Sequence, residues 1–160
     1  EADIERTMRG FLYLISGDSL RNGDIREPFD GHFPAGQSMT EQLISPEELP
    51  AWLTKDDLKF YVDEITRTGF RGGLNWYRNI NKIPAITAPF LGSTIEQPSF
   101  YMGGSTDLIA GNTPEAISSM QQALGDLRHC EIIEGAGHWI QQECASEVSS
   151  AMVAFLEGLN

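Results

Sequence analysis

QPSFYMGGSTDLIAGNTPEAISSMQQALGDLRHCEII, residues 97–133, is the stretch that decides the fold. Its ends, QPSFYMGG (97–104) and LRHCEII (127–133), are short apolar runs of strand length. Between them Thr113 stands where an N-cap would, Pro114 at the first helical position and Gly125 at the stop, so NTPEAISSMQQALG predicts a helix of about three turns. Two strands joined through such a helix lie parallel, with a right-handed crossover. Downstream, Val148, Met152, Phe155, Leu156 and Leu159 recur at helical spacing and predict a closing helix. The fold class is α/β.

The turns that follow the two strands carry the candidate chemistry. GGSTD (103–107) puts Asp107 after the first strand, and GAGHWIQQE (135–143) puts His138 after the second. Both lie at the C-terminal ends of parallel strands, the edge where open α/β sheets hold their ligands. An Asp and a His so placed form the base half of a catalytic triad. The carboxylate holds one ring nitrogen and stabilises the imidazolium, while the other nitrogen takes a proton from a nucleophile or a water. Asp before His, each after a late strand, is the order of the α/β-hydrolase fold. No Gly-x-Ser-x-Gly elbow occurs, nor an equivalent sharp turn with Asp or Cys at its tip. On spacing alone, Asp107 as a turn cap and His138 as a packed turn residue is an equally good account.

Upstream, Ile4, Met8, Phe11, Leu12 and Ile15 recur at three- and four-residue steps and predict a first helix. The opening residues, EADIERTMRG, include no initiator methionine and read as starting within a longer protein. Residues 17–50 are punctuated by four glycines and four prolines and read as one long loop. DGHFP (30–34) within it only superficially resembles the His-Gly-x-Pro turns of oxyanion holes; the order is wrong. Thr54, with Asp57 three residues on, predicts the start of a helix that Gly69 ends. GGLNWYRNI (72–80) predicts another, with Trp76 assigned to the core and Tyr77 one turn from Leu74.

Composition narrows the classes. Twenty-three acidic against eleven basic side chains give a net charge of −12, a field that repels phosphate backbones and anionic lipid surfaces, so neither nucleic acid nor membrane is an expected partner. No apolar run is long enough to span a bilayer, and the N-terminus is unlike a signal peptide, so a soluble, cytoplasmic protein is expected. Cys130 and Cys144 lack metal spacing and are expected to be reduced thiols; no metal or cofactor is expected.

FYVDEITRTGFRGGLNWYRNI (60–80), TAPFLG (87–92), the GGSTD turn and GAGHWIQQE together resemble the C-terminal half of soluble epoxide hydrolases of the α/β-hydrolase fold. The likeness runs with few gaps from the first helix to about residue 158; the NWYRN and GHWIQQE pieces are its specific parts, and residues 17–50 match poorly. It implies a partial α/β-hydrolase fold: a helical cap over residues 1–92, then the last two parallel strands and C-terminal helices of the core over 93–160. It implies a small-molecule epoxide as substrate, opened to a vicinal diol through a covalent alkyl-enzyme ester. Tyr77 takes the place of a phenol that donates to the epoxide oxygen, Asp107 that of the orienting carboxylate and His138 that of the base that activates water. Trp139 and Trp76 would line the pocket, although packing beneath the loop is an equally good account of Trp139. The nucleophilic Asp, the oxyanion hole and a second tyrosine are expected upstream, in the other half of the same fold; Tyr13 lies beyond the place of that tyrosine. Haloalkane and fluoroacetate dehalogenases share the fold and the Asp and His, but stabilise a halide with Trp, His or Asn; Tyr77 favours the epoxide. A non-catalytic binding module is the alternative of another class.

Overall fold

The computed structural model describes residues 3–25 and 36–159. The chain opens with α1 (Ile4–Leu14), whose N-cap Asp3 accepts a hydrogen bond from the Arg6 amide. Its apolar stripe packs against α4 (Lys55–Thr68), so that Met8, Leu12, Leu53 and Leu58 form one buried cluster. The predicted capping box opens α4: the Asp57 amide donates to Thr54 Oγ1 at 3.1 Å and Asp57 accepts from the Thr54 amide at 3.1 Å. Gly69, at φ 70°, closes it.

Residues 17–50 are not one continuous loop. They contain α2 (Gly17–Arg21) and α3 (Met39–Gln42), while DGHFP falls outside the described residues. A second capping box explains α3: the Glu41 amide donates to Ser38 Oγ at 3.3 Å, and Glu41 Oε2 accepts from the Ser38 amide at 3.0 Å. Thr40 then ties α3 to Thr7 of α1 through their hydroxyls, 2.6 Å apart. Buried Ser19 anchors α2 by donating to the carbonyls of Leu14 and Ser16 at 2.8 and 2.9 Å. Trp52 holds its outer side, donating from Nε1 to Asp18 at 2.9 Å.

After α4 come α5 (Arg71–Arg78) and α6 (Ile83–Thr87), then β1 (Ile95–Gly104), α7 (Pro114–Ala123) and β2 (Leu124–Ile133). The two strands pair in parallel, with Phe100 opposite His129 and Gly104 opposite Ile133. Thr113 caps α7 by accepting from the Ala116 amide, as its sequence predicts. Gly125 does not stop that helix. Leu124 is already extended (φ −110°, ψ 104°), so the chain runs from helix into strand with no left-handed cap, and Gly125 lies within β2 facing Glu96.

The chain ends with α8 (Ile140–Glu143) and α9 (Ala145–Glu157). Val148 joins Ala136 and Ile140 in a second buried cluster, packed against Met102 and Ile133 of the sheet. Met152, Leu156 and Leu159, predicted to share that apolar face, are exposed. Every residue from 71 to 98 is exposed as well. Trp76 therefore departs from its predicted core position: it is 82% exposed, because no described residue covers the outer side of α5. Cys130 and Cys144 are each half-buried and not joined in a disulfide. Among the described residues no helix is long and apolar enough to cross a membrane.

Candidate active site

Two loops at the C-terminal ends of β1 and β2 meet, and hydrogen bonds fix their register. Ser105 donates its amide to the Ile133 carbonyl at 2.9 Å, and its hydroxyl accepts from the Gly135 amide at 2.8 Å. Thr106 donates to the Ala136 carbonyl from its amide at 3.0 Å and its hydroxyl at 2.7 Å. So close an approach needs glycine: a Cβ on Gly104 would fall 2.2 Å from the Ala136 carbonyl oxygen, and one on Gly137 would fall 2.4 Å from the Gly17 nitrogen.

These contacts bring Asp107 and His138 together. His138 Nδ1 lies 3.1 Å from each carboxylate oxygen of Asp107. Asp107 Oδ1 also accepts from the amides of Ile109 and Ala110 at 2.8 and 3.0 Å, an Asx-type turn that holds the carboxylate in place. With both oxygens serving as acceptors, Nδ1 is the donor, and in the neutral ring the lone pair then lies on Nε2. The Asp107 side chain is 7% exposed and that of His138 is 33% exposed. Nε2 has no hydrogen-bond partner among the described residues. The imidazole can thus accept a proton from something that enters from solvent.

Three further side chains hold this geometry, and the sequence reading did not single out two of them. Trp139 sits behind the histidine, its ring edge-on at 5.0 Å, and donates from Nε1 to the Leu12 carbonyl of α1 at 2.8 Å. Packing beneath the loop accounts for it. Glu143 accepts from the amides of Gly137, Trp139 and Gly17. Asn112 donates to the Gly104 carbonyl at 2.9 Å and accepts from the Tyr101 hydroxyl. Burial first, and the nearby Asp107 carboxylate second, push the Tyr101 phenol above its ordinary value, so it stays a donor. Glu143 follows no periodic pattern, and Asn112 reads as an ordinary loop residue; only the spacing of Glu143 after the histidine carries any signal.

Tyr77 and Trp76 are elsewhere. They lie on α5, 67% and 82% exposed, and neither makes a hydrogen bond or ring contact with Asp107 or His138. The Tyr77 hydroxyl has no hydrogen-bond partner among the described residues. A cleft of about 750 Å³ opens beside α1, α3 and α5, but its lining, which includes Thr7, Thr40, Phe70 and Arg78, contains none of the five predicted site residues. Among the described residues no group of three or more His, Cys, Asp or Glu side chains is arranged to hold a metal ion.

No family model matches the chain. It is 37% identical over 156 residues to epoxide hydrolase A of Mycobacterium tuberculosis, a match that spans 91% of this chain and 48% of that protein. It is 34% identical over 155 residues to an epoxide hydrolase of Caballeronia sordidicola, spanning 97% of the chain and 45% of the relative. Among solved structures, an epoxide hydrolase from an endophytic Streptomyces superposes with a TM-score of 0.86 at 34% identity, over 99% of this chain and 47% of that one. Epoxide hydrolase A from Mycobacterium thermoresistibile gives a TM-score of 0.78 at 35% identity, over 98% and 47%. In sequence and in fold the chain is similar to the epoxide hydrolases of the α/β-hydrolase fold, and it spans about half the length of the curated relatives it matches. The predicted partial α/β-hydrolase fold and the resemblance to epoxide hydrolases are both borne out.

Proposed function

We propose that this chain supplies the base, its orienting carboxylate and one electrophilic phenol of an epoxide hydrolase, with residues 1–92 as the cap and 93–160 as part of the core. The aspartate nucleophile comes from the half of the fold that the relatives possess and this chain does not span. In the first step a carboxylate oxygen attacks an epoxide carbon, the ring C–O bond breaks, and the oxygen departs as an alkoxide that takes up a proton. Tyr77 donates a hydrogen bond to that oxygen as charge develops. In the second step a water attacks the ester carbonyl, giving its proton to His138 Nε2. The ester bond then breaks, the imidazolium gives its proton to the departing oxygen to release the vicinal diol, and the carboxylic acid left behind ionises, which restores the nucleophile and returns the proton taken up in the first step. Asp107 holds His138 in the required tautomer and stabilises the imidazolium. Trp139 and Trp76 border the substrate. The free thiols of Cys130 and Cys144 agree with a cytoplasmic address.

The observation that carries this reading is the Asp107 carboxylate at 3.1 Å from His138 Nδ1, with Nε2 left to accept a proton. The names of the relatives favour the epoxide over the halide as substrate. The test is His138→Gln in the protein carrying both halves of the fold, mixed with styrene oxide. The first step should survive, and mass spectrometry should find the covalent ester accumulating. Wild-type turnover, or a folded protein in which neither step occurs, would remove His138 from the role.

A further inference from the structure

Glu143 occupies an unusual place for an acidic side chain. Its Oε2 accepts from the Gly17 amide at 2.9 Å and from the Gly137 amide at 3.0 Å, and its Oε1 accepts from the Trp139 amide at 3.0 Å. Gly137 and Trp139 are the two residues flanking His138. The amide of His138 itself donates to the Ile15 carbonyl at 2.8 Å, so three consecutive N–H groups are all held. The arrangement locks from both ends, because the Glu143 amide donates back to the Trp139 carbonyl at 2.8 Å. Bonds from N–H groups to a carboxylate are charge-assisted and roughly twice as strong as neutral ones. Glu143 is also one of the groups through which the α1–α2 corner, at Gly17, bears on the histidine loop.

From this geometry we infer that Glu143 is the positioning residue of the proposed base: it sets the backbone that aims His138 at Asp107 and so governs ester hydrolysis. The inference rests on the proposed role of His138 and adds a residue to it. A glutamine in its place presents one oxygen and one NH2 group. Whichever way the amide turns, at least one backbone N–H then faces a donor in place of an acceptor. The loop must shift to relieve that opposition, and a displacement of the order of 1 Å costs a reaction up to about 100-fold. The first step has no need of the imidazole and should be spared.

The experiment compares Glu143→Gln, Glu143→Asp and His138→Gln in the protein carrying both halves of the fold, with styrene oxide, resolving ester formation from ester hydrolysis by quenched mass spectrometry. For a positioning residue, Glu143→Gln should slow ester hydrolysis on the order of 10- to 100-fold, leave ester formation within about twofold, and accumulate ester. A purely structural role would lower both steps in proportion to the folded fraction and leave their ratio unchanged. That unchanged ratio, with ester accumulating in His138→Gln, would overturn the inference and keep the proposed function. No ester in a folded His138→Gln would overturn the function and the inference with it. If Glu143→Gln does not fold, the shorter Glu143→Asp, which keeps the charge, is judged by the same ratio.

Discussion

The loops bearing Asp107 and His138 and the helix bearing Tyr77 are built on opposite terms. Around His138 every amide from 137 to 139 is bonded, Gly17, Gly104 and Gly137 leave no room for a methyl group, and Trp139 is pinned to α1. Around Tyr77 the chain is exposed from 71 to 98, and Gly72 and Gly73 have nothing within 4 Å of where a Cβ would sit. One region is closed by contacts within the chain; the other holds its shape by local helix bonds such as Asn79 Nδ2 to the Asn75 carbonyl. The difference teaches that residues proposed for one site can owe their placement to different causes, close packing in one region and local helix bonds in the other. Asp107 and His138 reach their geometry through contacts among the described residues, whereas Tyr77 lies on an exposed helix.

The sharpest way to test the contrast is Tyr77→Phe in the protein carrying both halves of the fold. Removing one donor to the developing alkoxide should cost the first step about 2 to 4 kcal/mol, by analogy with other oxyanion donors. Stability should move by less than about 0.5 kcal/mol, since the hydroxyl has no partner to lose among the described residues. Unchanged single-turnover ester formation would take Tyr77 out of the site.

A smaller effect separates the two regions by packing alone. Gly137→Ala forces a Cβ to 2.4 Å from the Gly17 nitrogen and 2.5 Å from the Ser16 carbonyl carbon, and should lower stability by about 1 to 3 kcal/mol. Gly72→Ala, on open helix, should raise it by about 0.5 to 1 kcal/mol. Denaturant titration of both variants checks the pair; equal shifts would erase the distinction between a closed and an open region.

The smallest effect is one of pH. Tyr13 is 3% exposed and donates to Asp24, and burial first, then Asp24, pushes its phenol above the ordinary value. An acid with a raised folded pKa contributes stability that is complete below its unfolded value, about 10, and is lost as pH rises through the folded value. Thermal midpoints should therefore fall as pH rises above about 10, and Tyr13→Phe should flatten that limb. An identical alkaline limb in the variant would show that another group governs it.

Much of the architecture is legible in local sequence because its causes are local. Thr54 with Asp57, and Thr113 with Pro114, announce α4 and α7 by satisfying orphan amides within one turn. Asp107 and His138 are legible because each follows a strand, and parallel strands bring their ends to one edge. Glu143 and Asn112 escape notice because their bonds go to backbone groups, which carry no side-chain signature. Trp76 is misread because helical spacing marks an apolar face without saying what covers it. The loop assigned to 17–50 fails at Ser38–Glu41, a capping box overlooked among glycines and prolines.

The bond from the Gly17 amide to Glu143 joins residues 126 apart, and that from the Trp139 indole to Leu12 joins residues 127 apart. Each ties the start of the chain to its end. Closing so large a ring costs little more at equilibrium than closing a small one, because the entropy lost grows only with the logarithm of its length. Kinetics respond differently: contacts between distant segments form after local ones have appeared. The capped turns of α4 and α7 are therefore expected to form early, and the alignment of His138 to follow them. A nascent chain emerging from the ribosome carries Asp107 and every helix before β2 while the histidine loop does not yet exist, so the proposed base can be armed only after residues 134–143 have been made.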